Sequence, residues 1–262
     1  MGDAGPSPIL YTNQFTVTVL DAHNQMVTYS TIPGNEPGAN QNQLFVFQGM
    51  NVPWNEAEKG TTWGDPVLVS NSDQTGSLTI NLKVPLENKA YVYGYSANGY
   101  INGITALAQI SSPSAAVGQK TPAKAMTLSV AQLETDTLIL SYALPQGMNP
   151  SRYGHYIGMW EGQILPWGLD PQTLVPVTAS SASGIQVVQP GSAQDIGSSR
   201  LAGFAINSWY TIAWFTADPT GQHSKAAGMA PALEKAPSPQ YSIAAVLQFN
   251  TSNATAQPTA GN

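Results

Sequence analysis

Most apolar runs in this chain alternate with a period of two. Phe15-Thr16-Val17-Thr18-Val19 and Ser77-Leu78-Thr79-Ile80-Asn81-Leu82 put apolar side chains on one face and hydroxyls or amides on the other, the pattern of a half-buried strand. Tyr91-Val92-Tyr93-Gly94-Tyr95 carries its aromatics on one face, and Thr137 to Leu144 and Tyr156 to Trp160 read the same way. Pro33-Gly34, Gln74-Thr75-Gly76 and Asp218-Pro219-Thr220-Gly221 punctuate these runs as turns. No stretch holds a 3.6-residue period over three turns. The expectation is an all-β chain of short strands, several to every ~100 residues, as in a β-sandwich.

The pattern also repeats. Adding 113 to positions 15–54 gives 128–167, and the two windows align without a gap. Identities fall at Val17/Val130, Leu20/Leu133, Tyr29/Tyr142, Gly34/Gly147, Pro37/Pro150, Gly49/Gly162, Pro53/Pro166 and Trp54/Trp167. They concentrate on glycine, proline and aromatics, the residues that fix turns and cores. Beyond position 54 the register shifts: Asp65-Pro66 answers to Asp170-Pro171, and Ala90 to Tyr95 answers to Trp209 to Trp214. Length differences confined to loops fit a shared scaffold whose connections have diverged. The reading is an internal duplication, with a first sandwich over 1–112, a flexible Pro/Ser/Ala linker over 113–122 and a second sandwich over 123–235. The remainder, 236–262, holds one more apolar run, Tyr241 to Phe249, and a low-complexity tail. That run finds no counterpart in the first copy, so it is expected as an extra strand at a sheet edge or one donated to a neighbour.

Asn149-Pro150-Ser151-Arg152-Tyr153-Gly154-His155-Tyr156-Ile157-Gly158-Met159-Trp160 resembles the run from strand B to strand C of immunoglobulin-like and fibronectin type III-like sandwiches. The first copy departs from it, with Leu44-Phe45-Val46-Phe47 and no glycine. The resemblance covers about a dozen residues per copy. It implies two tandem immunoglobulin-like sandwiches and a buried strand-C aromatic at Phe47 and Trp160; it implies no activity, because such folds host unrelated functions.

Composition narrows the functions. Charged residues make up 9% of the 262, against about a quarter in ordinary globular proteins. The polar surface must come from Ser, Thr, Asn and Gln, as on many extracellular β-proteins, lectins and assembly subunits. Nine Lys and Arg, none adjacent, and a net charge of −6 argue against a nucleic-acid partner. The absence of cysteine removes disulfides, thiolate metal sites and cysteine nucleophiles. Met1 to Pro8 does not read as a signal peptide, and no apolar run reaches the ~20 residues of a membrane span. An extracellular or cell-surface setting is therefore favoured by composition alone.

Catalytic candidates are sparse. His23, His155 and His223 show no ligand spacing, and no G-x-S-x-G elbow occurs. Glu56, Glu58 and Asp65 in one copy and Glu161 and Asp170 in the other fit no calcium loop and read as solvated acidic loops. No catalytic residue, metal or cofactor is assigned, and the chain is not expected to be an enzyme. Aromatics in loops are the better candidates. Trp54, Trp63 and Trp167 can each offer an apolar face to a sugar ring or a partner surface, or else plug the end of a sandwich. Asn98 and Tyr100 belong to a polar, glycine-rich loop, Asn98 to Gly103, that also reads as a plain turn. Sequons at Asn250 and Asn253 matter only in a eukaryotic secretory pathway. The expected function is a non-catalytic binding module, lectin-like, recognising carbohydrate or a protein surface through Trp54, Trp63, Trp167, Tyr100 and Asn98. The alternative is a self-assembling or secreted host-interaction subunit that donates its C-terminal strand.

Overall fold

The computed structural model describes residues 6–54, 62–190, 201, 203–217 and 242–252. The described chain is all-β, and the alternating runs become strands. The first half contains β1 (Ile9–Thr12), β2 (Gln14–Val19), β3 (Asn24–Ser30), β4 (Gln43–Gln48), β5 (Val67–Leu68), β6 (Thr75–Asn81), β7 (Tyr91–Ser96) and β8 (Ile104–Ile110). There follow β9 (Lys120–Pro122) and β10 (Lys124–Ala125). The second half contains β11 (Thr127–Leu133), β12 (Leu138–Ala143), β13 (Tyr156–Glu161), β14 (Thr173–Pro176), β15 (Ser183–Val188), β16 (Trp209–Phe215) and β17 (Ile243–Asn250).

These strands form four antiparallel sheets, ordered β6-β3-β2-β9, β10-β8-β7-β4-β5, β11-β12-β15 and β1-β17-β16-β13-β14. Inward residues of the first two sheets share one core, among them Phe15, Val17, Tyr29, Leu44, Val46, Tyr91, Tyr93 and Tyr95. The third and fourth enclose another, with Leu128, Leu140, Tyr142, Ile157, Met159, Ile212, Trp214 and Leu247. Each half is thus two sheets over one apolar layer, the arrangement that alternating patterning demands. Cross-strand pairs recur: Tyr29 lies opposite Gly76, and Tyr142 opposite Gly184.

The C-terminal run differs from its expectation as an extra edge strand or a donated one. β17 lies inside a sheet, paired to β16 on one side and β1 on the other. It takes the place that β8 takes in the first half. Tyr91 faces Ile110 as Tyr210 faces Phe249, and both ladders shift register at the same point, Tyr95/Ser96 and Trp214/Phe215. A short connection joins β7 to β8, whereas 27 residues separate Phe215 from Ile243; that spacing hides the match from an ungapped comparison. With both edges occupied inside its own chain, β17 has no free ladder to offer a neighbour.

The segment 113–122, expected as a flexible linker, also carries structure. Ser114–Ala116 forms a 3-10 turn, and β9 pairs with Thr16 to Thr18 of β2. The chain then crosses between the halves twice, at equivalent places. β1 pairs with β17 of the second half before the chain passes through Asn13 into β2. β10 pairs with β8 of the first half before the chain passes through Met126 into β11. Each half therefore lends its opening strand to the other. The register is equivalent as well: Thr12 faces Ala245 as Ala125 faces Ala106. A boundary near residue 112 does not capture this exchange, because it is made by pairing distant in sequence.

Candidate functional site

The seam between the halves accounts for most of the sequence-derived candidates. Trp54 leaves the loop after β4 and donates its indole N–H to the carbonyl of Gln146, 2.9 Å away in the second half. Trp167 leaves the loop after β13 and donates to the carbonyl of Pro33, 2.6 Å away in the first half. Each ring lies against the glycine that follows its acceptor, Gly147 at φ +82 and Gly34 at φ +84. A side chain there would meet the indole, and the positive φ already favours glycine. The repeated Gly and Pro-Trp positions are therefore the two sides of a reciprocal clasp. Tyr153 adds a hydrogen bond from its hydroxyl to the Trp54 carbonyl.

Asn98 is buried at the same seam. Its amide donates to Thr216 Oγ1 of the second half at 3.1 Å, and its Oδ1 accepts from Tyr100 N–H at 3.0 Å and Ser96 Oγ at 3.1 Å. Tyr100 precedes a 3-10 turn, Ile101–Gly103. Trp63 is half-buried against the first core, edge-on to Tyr91 with ring centres 5.4 Å apart. The structure does not gather Trp54, Trp63, Trp167, Tyr100 and Asn98 into one site.

His155, at the start of β13, is fully buried. Trp214 Nε1 donates to its Nδ1 at 3.0 Å, which leaves the proton on Nε2, 3.4 Å from the Asn102 carbonyl of the first half. Desolvation lowers its pKa to about 4, opposed by the bond to Asn102. The equivalent pair in the first half is Tyr95, whose hydroxyl donates to Asn42 Oδ1 at 2.8 Å. One donor–acceptor relation is thus kept with different chemistry.

The carboxylates stay apart. Asp65 forms an exposed ion pair with Lys83 at 2.9 Å, Glu161 is exposed, and Asp170 accepts the Trp160 N–H through its backbone carbonyl. Among the described residues no three His, Cys, Asp or Glu side chains gather in a metal-binding group, and no helix is long and apolar enough to cross a membrane. Glu56, Glu58, His223 and Asn253 lie outside the described residues. The Asn250 side chain is buried, with Oδ1 accepting from Ser252 N–H.

A concave polar surface lies elsewhere, on residues that carry no periodic signal. The loop after β3 and the connection into β6 flank an open cleft of about 530 Å³ lined by Gly34, Asn35, Glu36, Ser72, Asp73, Gln74 and Thr75. Its walls are fixed. Thr31 N–H donates to the Gln74 carbonyl at 2.8 Å, and Gly38 N–H to the Asn71 carbonyl at 3.0 Å. Buried asparagines brace one wall: Asn40 donates to Asn35, Asn35 to Asn42, and Asn42 to the Ala97 carbonyl. On the other, Asn71 and Asp73 bond each other through side chain and backbone at 3.0 Å. None of Trp54, Trp63, Trp167, Tyr100 and Asn98 is among its lining residues. Neither Glu36 nor Asp73 joins an ion pair among the described residues.

Tyr29, in the core of the first half, is 5% exposed, and its hydroxyl has no hydrogen-bond partner among the described residues. The hydroxyl ends against Gly76, one residue past the cleft wall. Burial, and then the charge of Asp73, raise its pKa, so it stays a neutral phenol. In the second half the equivalent Tyr142 hydroxyl donates to the carbonyl of Ser181 at 3.0 Å. Ser181 corresponds to Asp73 by strand register, and Asn149 to Glu36 by the repeat. The second half therefore lacks both carboxylates at these positions, and its Tyr142 hydroxyl is partnered.

No protein-family model matches this chain, and no curated protein matches it detectably in sequence.

Proposed function

We propose that this protein is a non-catalytic binding module, built from two duplicated immunoglobulin-like sandwiches, that holds a saccharide-type ligand in the cleft of its first half. The observation that carries the reading is the cleft itself: a fixed concavity lined by amides, hydroxyls and two carboxylates. Such groups exchange paired hydrogen bonds with the hydroxyls of a sugar, and rigid walls limit the ordering cost of binding. The duplicated scaffold supports it through the seam, where the clasps and exchanged strands hold both halves as one body. Trp54 and Trp167 serve that seam with their N–H groups. Isothermal titration of the purified chain against neutral and amino oligosaccharides tests the reading, with Glu36→Ala/Asp73→Ala as the control. Saturable binding that this double variant abolishes is expected; binding that survives it removes the cleft as the site.

A second reading, homo-oligomeric assembly, has one specific observation in its favour. Ile185 and Val187 on β15 are 64% and 44% exposed, and among the described residues no strand pairs with the outer edge of β15. The equivalent positions on β6 are Ser77 and Thr79. An apolar, uncharged edge invites pairing with another strand. Multi-angle light scattering of the wild type and of Ile185→Lys/Val187→Lys decides it: a dimer that the double variant dissociates supports assembly, and a monomer near 27.6 kDa in both removes it.

A further inference from the structure

We infer that the C-terminal segment 253–262 lies along the outer edge of β11, as the second half's counterpart of β9. The inference concerns how the chain closes its own sheets and is independent of the cleft.

The first half shows what the scaffold places at that edge. β2 is paired on both sides, to β3 and to β9. Its counterpart β11 pairs with β12 alone among the described residues, so the sheet β11-β12-β15 ends where β6-β3-β2-β9 has one strand more. The difference shows in burial. Val17 and Thr18, beside β9, are 0% and 8% exposed; of their counterparts, Val130 is half-buried and Ala131 exposed. β11 also carries no charged side chain. An uncharged open edge invites another strand.

Chain length and sequence point to the occupant. Ile110 of β8 and Phe249 of β17 hold the same place in the matched ladders. β9 begins at Lys120, ten residues after Ile110, and the same interval from Phe249 reaches Thr259. Thr259-Ala260-Gly261 then matches β9 in length. One position earlier, Gln257-Pro258-Thr259 repeats Gln119-Lys120-Thr121 at its first and last residues. The approaches are alike too: Ser111 to Ala116 and Asn250 to Thr255 are small polar residues, alanine and one proline. Segment 253–262 is as free of charge as β11.

The chain ahead of β1 does not take this place. The 113-residue offset sets Ser7 and Pro8 opposite Lys120 and Thr121, yet both are exposed and pair with no strand, while Ile9 is committed to β17. With β11 closed by the C-terminal segment, β15 keeps the one open edge of that sheet. The segment thus halves the edges that the sheet can offer to a second copy.

The test is backbone hydrogen exchange in the full chain and in a chain ending at Ser252, which keeps every strand of both cores. The reporter is the Val130 amide, whose counterpart Val17 faces Thr121 in the β9 ladder. It should exchange about tenfold or more slowly in the full chain than in the shortened one, at every protein concentration. The full-length variant Thr259→Pro/Ala260→Pro should exchange as the shortened chain does, because proline donates nothing to a ladder. The Val17 amide should be unchanged throughout and controls for general loosening. Fast exchange at Val130 in the full chain overturns the inference, as does slow exchange that persists in the shortened chain or in the double-proline variant. Slow exchange that vanishes on dilution shows a second copy on the edge and overturns it. So does slow exchange that is lost only when residues 1–5 are removed, which would place the N-terminus there.

Discussion

Acid should destabilise this protein through His155 in a window that a single substitution can remove. Burial lowers its folded pKa to about 4, against 6.5 for an exposed histidine. The unfolded chain therefore binds a proton between these values that the folded chain refuses, so stability is full above 6.5 and falls as pH drops toward 4. From the two values, the loss between pH 8 and pH 5 is about 2 kcal/mol, approaching about 3 kcal/mol below pH 4. The physical cause is local: protonating Nδ1 sets two donors facing each other, because Trp214 Nε1–H already points at it from 3.0 Å. The Asn102 carbonyl is the other group facing the ring, and no charged side chain of the described residues enters its balance. Urea midpoints at pH 8, 6 and 5 measure the effect in the wild type and in His155→Asn. Asparagine, the residue at the equivalent position 42, keeps an acceptor near Nδ1 and cannot titrate. The variant should be less stable at pH 8 by about 1–2 kcal/mol, through lost packing, but its profile should lack the wild type's extra fall. Parallel profiles in the two proteins would refute the assignment.

The clasps make a second prediction. Gly34→Ala and Gly147→Ala each introduce a Cβ at positive φ against an indole, as close as 2.5 Å at Gly34, and should cost about 2 kcal/mol or more each in denaturant unfolding. Removing residues 1–12 uncovers one side of β17 and should produce concentration-dependent oligomers in light scattering, since an exposed ladder seeks another strand. Gln25→Leu replaces a buried amide whose oxygen has no partner among the described residues with the residue found at the corresponding Leu138, and should leave the melting temperature equal or higher.

Strand positions were legible where alternation was long. Phe15–Val19, Tyr91–Tyr95, Thr137–Leu144 and Tyr156–Trp160 each fall on a strand, within a residue at the ends. The two- to four-residue strands β1, β9 and β10 were not, because so few residues carry no period and their pairing is decided by distant neighbours. The 113-residue offset sets Trp54 beside Trp167 and Gly34 beside Gly147. It could not show that each tryptophan crosses to the glycine of the other half, since self-comparison yields correspondence and never contact. The cleft was hidden for a related reason. Its walls are polar loop residues distant in sequence, and only the closure of β3 against β6 brings the stretches holding Glu36 and Asp73 to one cleft.

The exchange of opening strands has a consequence for synthesis. Ile9 leaves the ribosome well before Gln248, the residue it pairs with. At ordinary elongation rates of about 5–20 residues per second, β1 waits on the order of tens of seconds for its partner. Through that interval Ile9 and Leu10 belong to a strand without a sheet, whereas β10 emerges after β8 and can dock at once. Nascent-chain handling should therefore matter more for β1 than for β10, and shielding of β1 until β17 arrives would set the yield of folded molecules.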